Sequence, residues 1–259
     1  MHRGLLTCVP STTLGEAATL LVEWRVHALV VAATDGPPLG ILADFDVLAG
    51  EWLARDEASR AVMTRMTAQE LMTTPPRMID ASADVREAAE LLHRERLARL
   101  LVVDAGEAVG VVAISDLVAL LAVEEGDGHR VRDAMSRGFV VCAPDTSLPA
   151  LARAMSERRS RSVVVLGRRG EVLGVVTGTD LLPRVASGDV QTTAGDLLHS
   201  PLTIAPDATL REAADALVAA EVHRLVVVDP AQPDALPLGI LSTSDVVAYM
   251  TRPGSGWRG

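Results

Sequence analysis

Asp46, Asp116, Asp180 and Asp245 each stand six residues after a glycine: Gly40, Gly110, Gly174 and Gly239. The segments read Gly40-Ile41-Leu42-Ala43-Asp44-Phe45-Asp46, Gly110-Val111-Val112-Ala113-Ile114-Ser115-Asp116, Gly174-Val175-Val176-Thr177-Gly178-Thr179-Asp180 and Gly239-Ile240-Leu241-Ser242-Thr243-Ser244-Asp245. A carboxylate at a helix start has two roles open to it. It can cap its own helix, or it can accept from both hydroxyls of a ribose while nearby hydroxyls and helix N–H groups face a phosphate. The residue three before the aspartate discriminates: Thr177 and Ser242 in the later segments, Ala43 and Ala113 in the earlier ones. The residue just before adds Thr179, Ser244 and Ser115, with Phe45 in the first segment. A charge-assisted hydrogen bond contributes about 1.5–3 kcal/mol, against roughly 8 kcal/mol for micromolar binding, so cations must act with the carboxylate.

Cations precede a β-branched run in three segments: Arg99, Arg161 and His223-Arg224, with His27-Ala28 in the first. A cation there either complements the C-terminus of the preceding helix or meets a phosphate. Arg158-Arg159 and His93-Arg94 are assigned to the helix dipole. Arg161 and Arg99 stand between the two roles. In the first segment Asp44 adds negative charge and Phe45 adds bulk, which disfavours a phosphate.

The aspartates lie 70, 64 and 65 residues apart (46 to 116, 116 to 180, 180 to 245), so one supersecondary unit is used four times. Each unit holds an amphipathic helix whose stripe has spacing i, i+3, i+4, i+7: Leu14, Ala17, Ala18, Leu21; Val85, Ala88, Ala89, Leu92; Leu148, Leu151, Ala152, Met155; Leu210, Ala213, Ala214, Leu217. Thr13, Asp84, Ser147 and Thr209 precede the stripes as N-caps, and Glu16, Glu87 and Glu212 follow three residues later. A β-branched run, a polar turn and a second run then predict a hairpin. With a strand before the helix and a second helix from the aspartate onward, the unit is β-α-β-β-α, an α/β (α+β) arrangement.

This grammar resembles tandem CBS domains, named for cystathionine beta-synthase, over residues from about 5 to 250. In the fourth repeat, Glu221-Val222-His223-Arg224-Leu225-Val226-Val227-Val228-Asp229 and Ser242-Thr243-Ser244-Asp245 are similar to the last repeat of the gamma subunit of AMP-activated protein kinase. The resemblance implies four repeats paired into two Bateman modules, and a homodimer through those modules. It also implies adenosine-containing ligands in the clefts: AMP, ADP or ATP first, then S-adenosylmethionine, NAD or cyclic dinucleotides, with no required cofactor. By the same resemblance His223 and Arg224 meet phosphate, and Val140 and Thr203 form the apolar wall for adenine. The lead-in residues Met135-Ser136 and His199-Ser200-Pro201 would close the clefts. Repeat one has no room for such a lead-in.

Gly126-Asp127-Gly128 is the best boundary, giving modules of residues 1–125 and 126–251, with a frayed tail over 252–259. Residues 50–70 read as a helical bridge. The leading reading is a regulatory sensor that binds its nucleotide in the carboxy-terminal pair. Asp180 and Asp245 would hold ribose there, with Thr177, Thr179, Ser242 and Ser244 lining the channel, possible protein effectors outside, and no catalysis. The alternative is an assembly module whose clefts stay empty and whose aspartates are only caps; an enzyme ranks third, since no general base stands beside a nucleophile.

Composition bounds these readings. With 49% hydrophobic and 22% charged residues the chain is globular, and a net charge of −10 argues against a nucleic-acid backbone as partner. Two cysteines, Cys8 and Cys142, are too few for a disulfide framework and read as small apolar strand residues. The chain opens without a leader pattern and holds no spanning apolar run, which predicts a soluble cytoplasmic protein. His2 and His129 are expected on the solvated surface.

Overall fold

The computed structural model describes all residues except 35, 53–64, 124–128, 159, 188, 190, 233–234, 254 and 256–259. The glycine-bounded segment of Gly126-Asp127-Gly128 and most of the expected bridge over 50–70 therefore lie outside the described residues.

Each repeat forms the predicted unit. Repeat one comprises β2 (Thr7–Cys8), α1 (Leu14–Glu23), β3 (Ala28–Ala32), β4 (Pro38–Ala43) and α2 (Asp44–Trp52). Repeat two comprises β5 (Met78–Asp80), α4 (Val85–Glu95), β6 (Arg99–Asp104), β7 (Glu107–Ala113) and α5 (Ile114–Val123). Repeat three comprises β8 (Val140–Cys142), α7 (Leu148–Glu157), β9 (Ser162–Leu166), β10 (Val172–Thr177) and α8 (Gly178–Ser187). Repeat four comprises β11 (Thr203–Ile204), α10 (Leu210–Ala219), β12 (Arg224–Val227), β13 (Gly239–Ser242) and α11 (Thr243–Met250). In every repeat the first strand pairs parallel to the second and the hairpin is antiparallel.

The helix starts follow their caps. Thr13 and Thr209 close capping boxes with Glu16 and Glu212, and Asp84 accepts from the Glu87 N–H at 2.7 Å. The stripes are buried, Val85 only partly. Their destination is what organises the molecule. One core cluster joins the stripe of repeat one to that of repeat three, and a second joins repeat two to repeat four. Paired alanines at the middle of three of the four stripes keep those helix faces thin, so that neighbouring helices lie close.

Short lead-in segments join the repeats in the other direction. The one-turn helix α3 (Ala68–Leu71) before repeat two packs on repeat one, and Thr73 bridges Ile41. The turn α6 (Val131–Ala134) before repeat three packs on repeat four, and Ser136 bridges Ile240. The turn α9 (Ala194–Leu197) before repeat four packs on repeat three, and His199 bridges Val175. Repeat one does have its lead-in: β1 (His2–Arg3) pairs antiparallel with β7, Arg3 opposite Gly110. The expectation that the chain starts too late for one is thus corrected, because two extended residues suffice to make the bridge.

This exchange accounts for three of the four recurring glycines. A Cβ at Gly40 would stand 2.8 Å from the Thr73 carbonyl oxygen, one at Gly174 2.7 Å from that of His199, and one at Gly239 2.7 Å from that of Ser136. Only a residue without a Cβ lets the crossing backbone approach so closely. Val164, Val226 and Ile240 form a small further cluster between the sheets of repeats three and four.

Two residues of the expected tail are held in place, and residues 256–259 lie outside the described residues. The Arg252 guanidinium donates to the Asp133 carbonyl at 3.3 Å, and buried Ser255 donates its hydroxyl to the Met250 carbonyl at 2.7 Å. No helix among the described residues is long and apolar enough to cross a membrane.

Candidate functional site

All four aspartates act as caps. The Oδ2 atoms of Asp46, Asp116, Asp180 and Asp245 accept from the backbone N–H of Ala43, Ala113, Thr177 and Ser242 at 2.7–2.9 Å. The Thr177 hydroxyl donates to the same oxygen of Asp180 at 2.8 Å, and the Ser242 hydroxyl does so to Asp245. The hydroxyls expected to line a phosphate channel therefore lock the carboxylates first, because a hydroxyl three residues before a carboxylate is also the pattern of a capping box. The capping role takes one oxygen of each carboxylate. The other is turned outward: Asp245 Oδ1 accepts from the Ser136 hydroxyl at 2.7 Å, and Asp180 Oδ1 lies 2.8 Å from His199 Nε2. Ser136 and His199 both come from exchanged lead-ins, so each outward oxygen is met by the segment that crosses at its own glycine.

Two cavities open at these carboxylates. One, of about 610 Å³, is lined by Ser136, Val140, Ser242, Ser244 and Asp245, with Arg161 and Arg224. The other, of about 550 Å³, is lined by Thr177, Thr179, Asp180, His199 and His223, again with Arg161 and Arg224. The two arginines are thus common to both. The structure gathers the sequence candidates into these cavities with two exceptions, Met135, which packs against a core cluster, and Thr203. Its side chain is exposed and Leu202 lines the second cavity instead. Val140 pairs with Val163, and Thr203 with Val226, one residue further along its strand. Side chains alternate on a strand, so a one-residue slip turns the wrong face inward.

The sequence reading missed other lining residues. Arg158 and His93 stand at helix C-termini, as assigned, and also line the first cavity together with Arg96. Arg25 and Glu221 line the second. Arg25, Arg96 and Glu221 share one register position and all have positive φ (52°, 55° and 52°) just past a helix end, where glycine or asparagine is usual. Counting back four residues from Leu29, Leu100 and Leu225 would have found them.

The inner wall is where the charges crowd. Asp44, buried, receives the Phe45 N–H at 2.8 Å on Oδ1 and meets His27 Nδ1 at 3.0 Å on Oδ2. His27 Nε2 lies 3.2 Å from His223 Nε2, the two rings edge to face. Arg99, Arg161 and Arg224 line the same cavity as this pair. Burial pushes the Asp44 carboxyl up, but the His27 hydrogen bond and the charges of Arg161, His27 and Arg99 together hold it below its usual value. Burial, with His27 and Arg224 adding, presses His223 down to about 4, although part of its ring is exposed. Burial and Arg161 lower Arg224 to about 10, and burial lowers Arg99.

Asp46 is pushed the opposite way, to about 6 from 3.8, by burial and by neighbouring Asp44 against the Ala43 N–H. A folded value above the unfolded one means the native state holds more protons between them, so its contribution to stability falls as pH rises from about 4 to about 6. Asp46→Asn is therefore expected to raise stability above about pH 7 by an amount on the order of 2 kcal/mol, discounted for the water that reaches the carboxylate. Near pH 4 the gain vanishes. Thermal melts of both proteins across this range check it; a gain independent of pH would contradict the assignment.

His129 is half-buried, not fully solvated: its Nδ1 lies 2.7 Å from the Tyr249 hydroxyl and the rings meet edge to face. Cys8 is buried and Cys142 half-buried, and burial raises both thiols, as suits small apolar strand residues. Among the described residues no group of three or more His, Cys, Asp or Glu is placed to hold a metal.

The CBS domain family model matches residues 1–50, 68–123, 131–187 and 194–252. Protein MJ1225 of Methanocaldococcus jannaschii is 21% identical over 272 residues, covering 96% of either chain. Its crystal structure superposes with a TM-score of 0.83 at 19% identity over 96% of this chain and 97% of that one, a likeness of fold. A conserved protein from Pyrococcus horikoshii gives a TM-score of 0.64 at 18% identity, over 95% and 96% of the two chains. A partial relative is a homoserine O-acetyltransferase of Methanosphaera stadtmanae, 27% identical over 116 residues: 44% of this chain, but only 23% of that protein's length.

Proposed function

The chain belongs to the CBS domain family, as four repeats paired into two Bateman modules, and from this premise we propose that it is a regulatory sensor of adenosine-containing ligands. The boundaries we assign are 1–125 and 126–251, supported by the lead-ins, which among the described residues cross only between repeats one and two and between repeats three and four. The observation that carries the proposal is the pairing of two outward carboxylate oxygens, on Asp180 and Asp245, with cavities that share Arg161 and Arg224. Volumes of about 610 and 550 Å³ fall within the range of small-molecule sites. In a chain of net charge −10, a cluster of arginines facing inward is a local site for an anion.

In this reading the ligand's ribose takes the outward oxygen, displacing or sharing the Ser136 hydroxyl or the His199 ring, and its phosphate turns toward the shared arginines. Val140 and Leu202 supply apolar surface for the base. Because Ser136 and His199 ride on the exchanged lead-ins, a ligand that replaces them acts on the contact between repeats. A ligand shifts a conformational population only by such a difference in contacts.

A second reading has a specific observation in its favour: the Thr177 and Ser242 hydroxyls are already engaged in capping, so the motif serves the fold without any ligand. In that case the protein is an assembly module. A thermal-shift screen of AMP, ADP, ATP, S-adenosylmethionine and NAD separates the two. Ligand at about a hundred times its dissociation constant is expected to add roughly 2.7 kcal/mol of stability. A flat response to all five favours assembly, and release of product from ATP would favour an enzyme.

A further inference from the structure

Asp44 occupies a register position that no other repeat fills with a charge. It corresponds to Ile114, Gly178 and Thr243, the first residues of their helices, all of which line the same cavity. Only repeat one places a carboxylate there, and it is 8% exposed. Its surroundings explain how it can be buried and ionised: one oxygen takes the Phe45 N–H, the other meets His27, and Arg161 and Arg99 draw on its charge. Arg224 and His223 feel the same charge from the other side of the cavity.

We infer that Asp44 is a resident counter-ion of the arginine cluster, a side chain that stands in for a phosphate and thereby sets how much negative charge a ligand in the Asp180 cavity can carry. The inference rests on the functional reading above and deepens it. Three guanidiniums, Arg99, Arg161 and Arg224, face a wall on which one carboxylate is already fixed. A ligand phosphate entering that space meets the attraction of the cations and the repulsion of Asp44 together. A bare nucleoside meets neither. The cavity at Asp245 differs in the sense expected: Asp44 does not line it, whereas His93, Arg96 and Arg158 do. The cavity walled by Asp44 is thus built for a ligand of low phosphate charge, and the other tolerates more.

The test is the affinity of adenosine, AMP and ATP for the wild-type chain and for Asp44→Asn, measured by titration calorimetry. Two charges several ångströms apart in a partly wet site interact by enough to change binding about tenfold or more. Asp44→Asn is expected to tighten ATP by at least about tenfold, AMP by less, and adenosine by no more than about twofold. Asp44→Thr, which takes the residue of repeat four at that position, serves as a second variant should the asparagine protein fold poorly, and is expected to give the same order. Equal shifts for the three ligands, or unchanged ATP affinity, would overturn the role of Asp44 while leaving the sensor reading intact. Failure of all three ligands to bind wild type and both variants would overturn this inference, and a flat response to S-adenosylmethionine and NAD as well would overturn the sensor reading with it.

Discussion

Asp245→Ala is expected to weaken nucleotide binding in its cavity by about a hundredfold, and to lower the stability of the free protein by about 1 kcal/mol. The two effects come from the two oxygens. Oδ2 closes the capping box with Ser242, and loss of such a cap typically costs about 1 kcal/mol. Oδ1 faces the cavity beside Ser136, and in the proposed function it is the acceptor for the ribose. Losing hydrogen bonds to a charged acceptor removes roughly 3 kcal/mol, about a hundredfold in affinity. Asp245→Asn separates the parts, because its amide oxygen can still accept the Ser242 N–H while the charge is gone. Calorimetry and melting of the three proteins should show asparagine near wild type in stability but near alanine in binding. Undiminished affinity in both variants would assign Asp245 to capping alone.

Gly239→Val carries the largest expected loss of stability, about 3 kcal/mol, the upper part of the range for forced overpacking. The new Cβ would lie 2.7 Å from the Ser136 carbonyl oxygen and 3.1 Å from the Met135 sulfur. The methionine can move, but the carbonyl belongs to the two-way bridge between Ser136 and Ile240, with both hydrogen bonds at 2.9 Å. Relief therefore requires the lead-in to detach, which also takes Ser136 away from Asp245. Chemical denaturation should show the lower midpoint, and the Asp245 cavity should lose its ligand together with the fold's stability. A valine protein as stable as wild type would mean that the lead-in is not held at this crossing.

The architecture was legible because its signals are local and fourfold. Stripes, caps and β-branched runs repeat in register, and each agrees with its neighbours about the same unit. The candidate site was legible at residues placed by helix starts and strand entries: Asp180, Asp245, Thr179, Ser244, Arg161, His223 and Arg224 all line the cavities. Three things were not. Thr203 against Leu202 turned on a one-residue register that hydrophobic pattern alone leaves open in so short a strand. The meaning of the glycines needed the crossing lead-ins, a contact between segments tens of residues apart. The environment of Asp44 needed three arginines from three other repeats, and no local pattern announces a convergence of that kind. The engagement of Thr177 and Ser242 in capping was available in the sequence, since the same spacing serves both roles and only geometry apportions the oxygens.

Crystals of the protein grown with saturating AMP or ATP decide whether the outward carboxylate oxygens are ligand acceptors. The expected density is a nucleotide whose ribose hydroxyls lie within hydrogen-bonding distance of Asp245 or Asp180 Oδ1, with its phosphate against Arg161 and Arg224. Cavities without nucleotide, in which Ser136 and His199 still hold both carboxylates, would contradict that role.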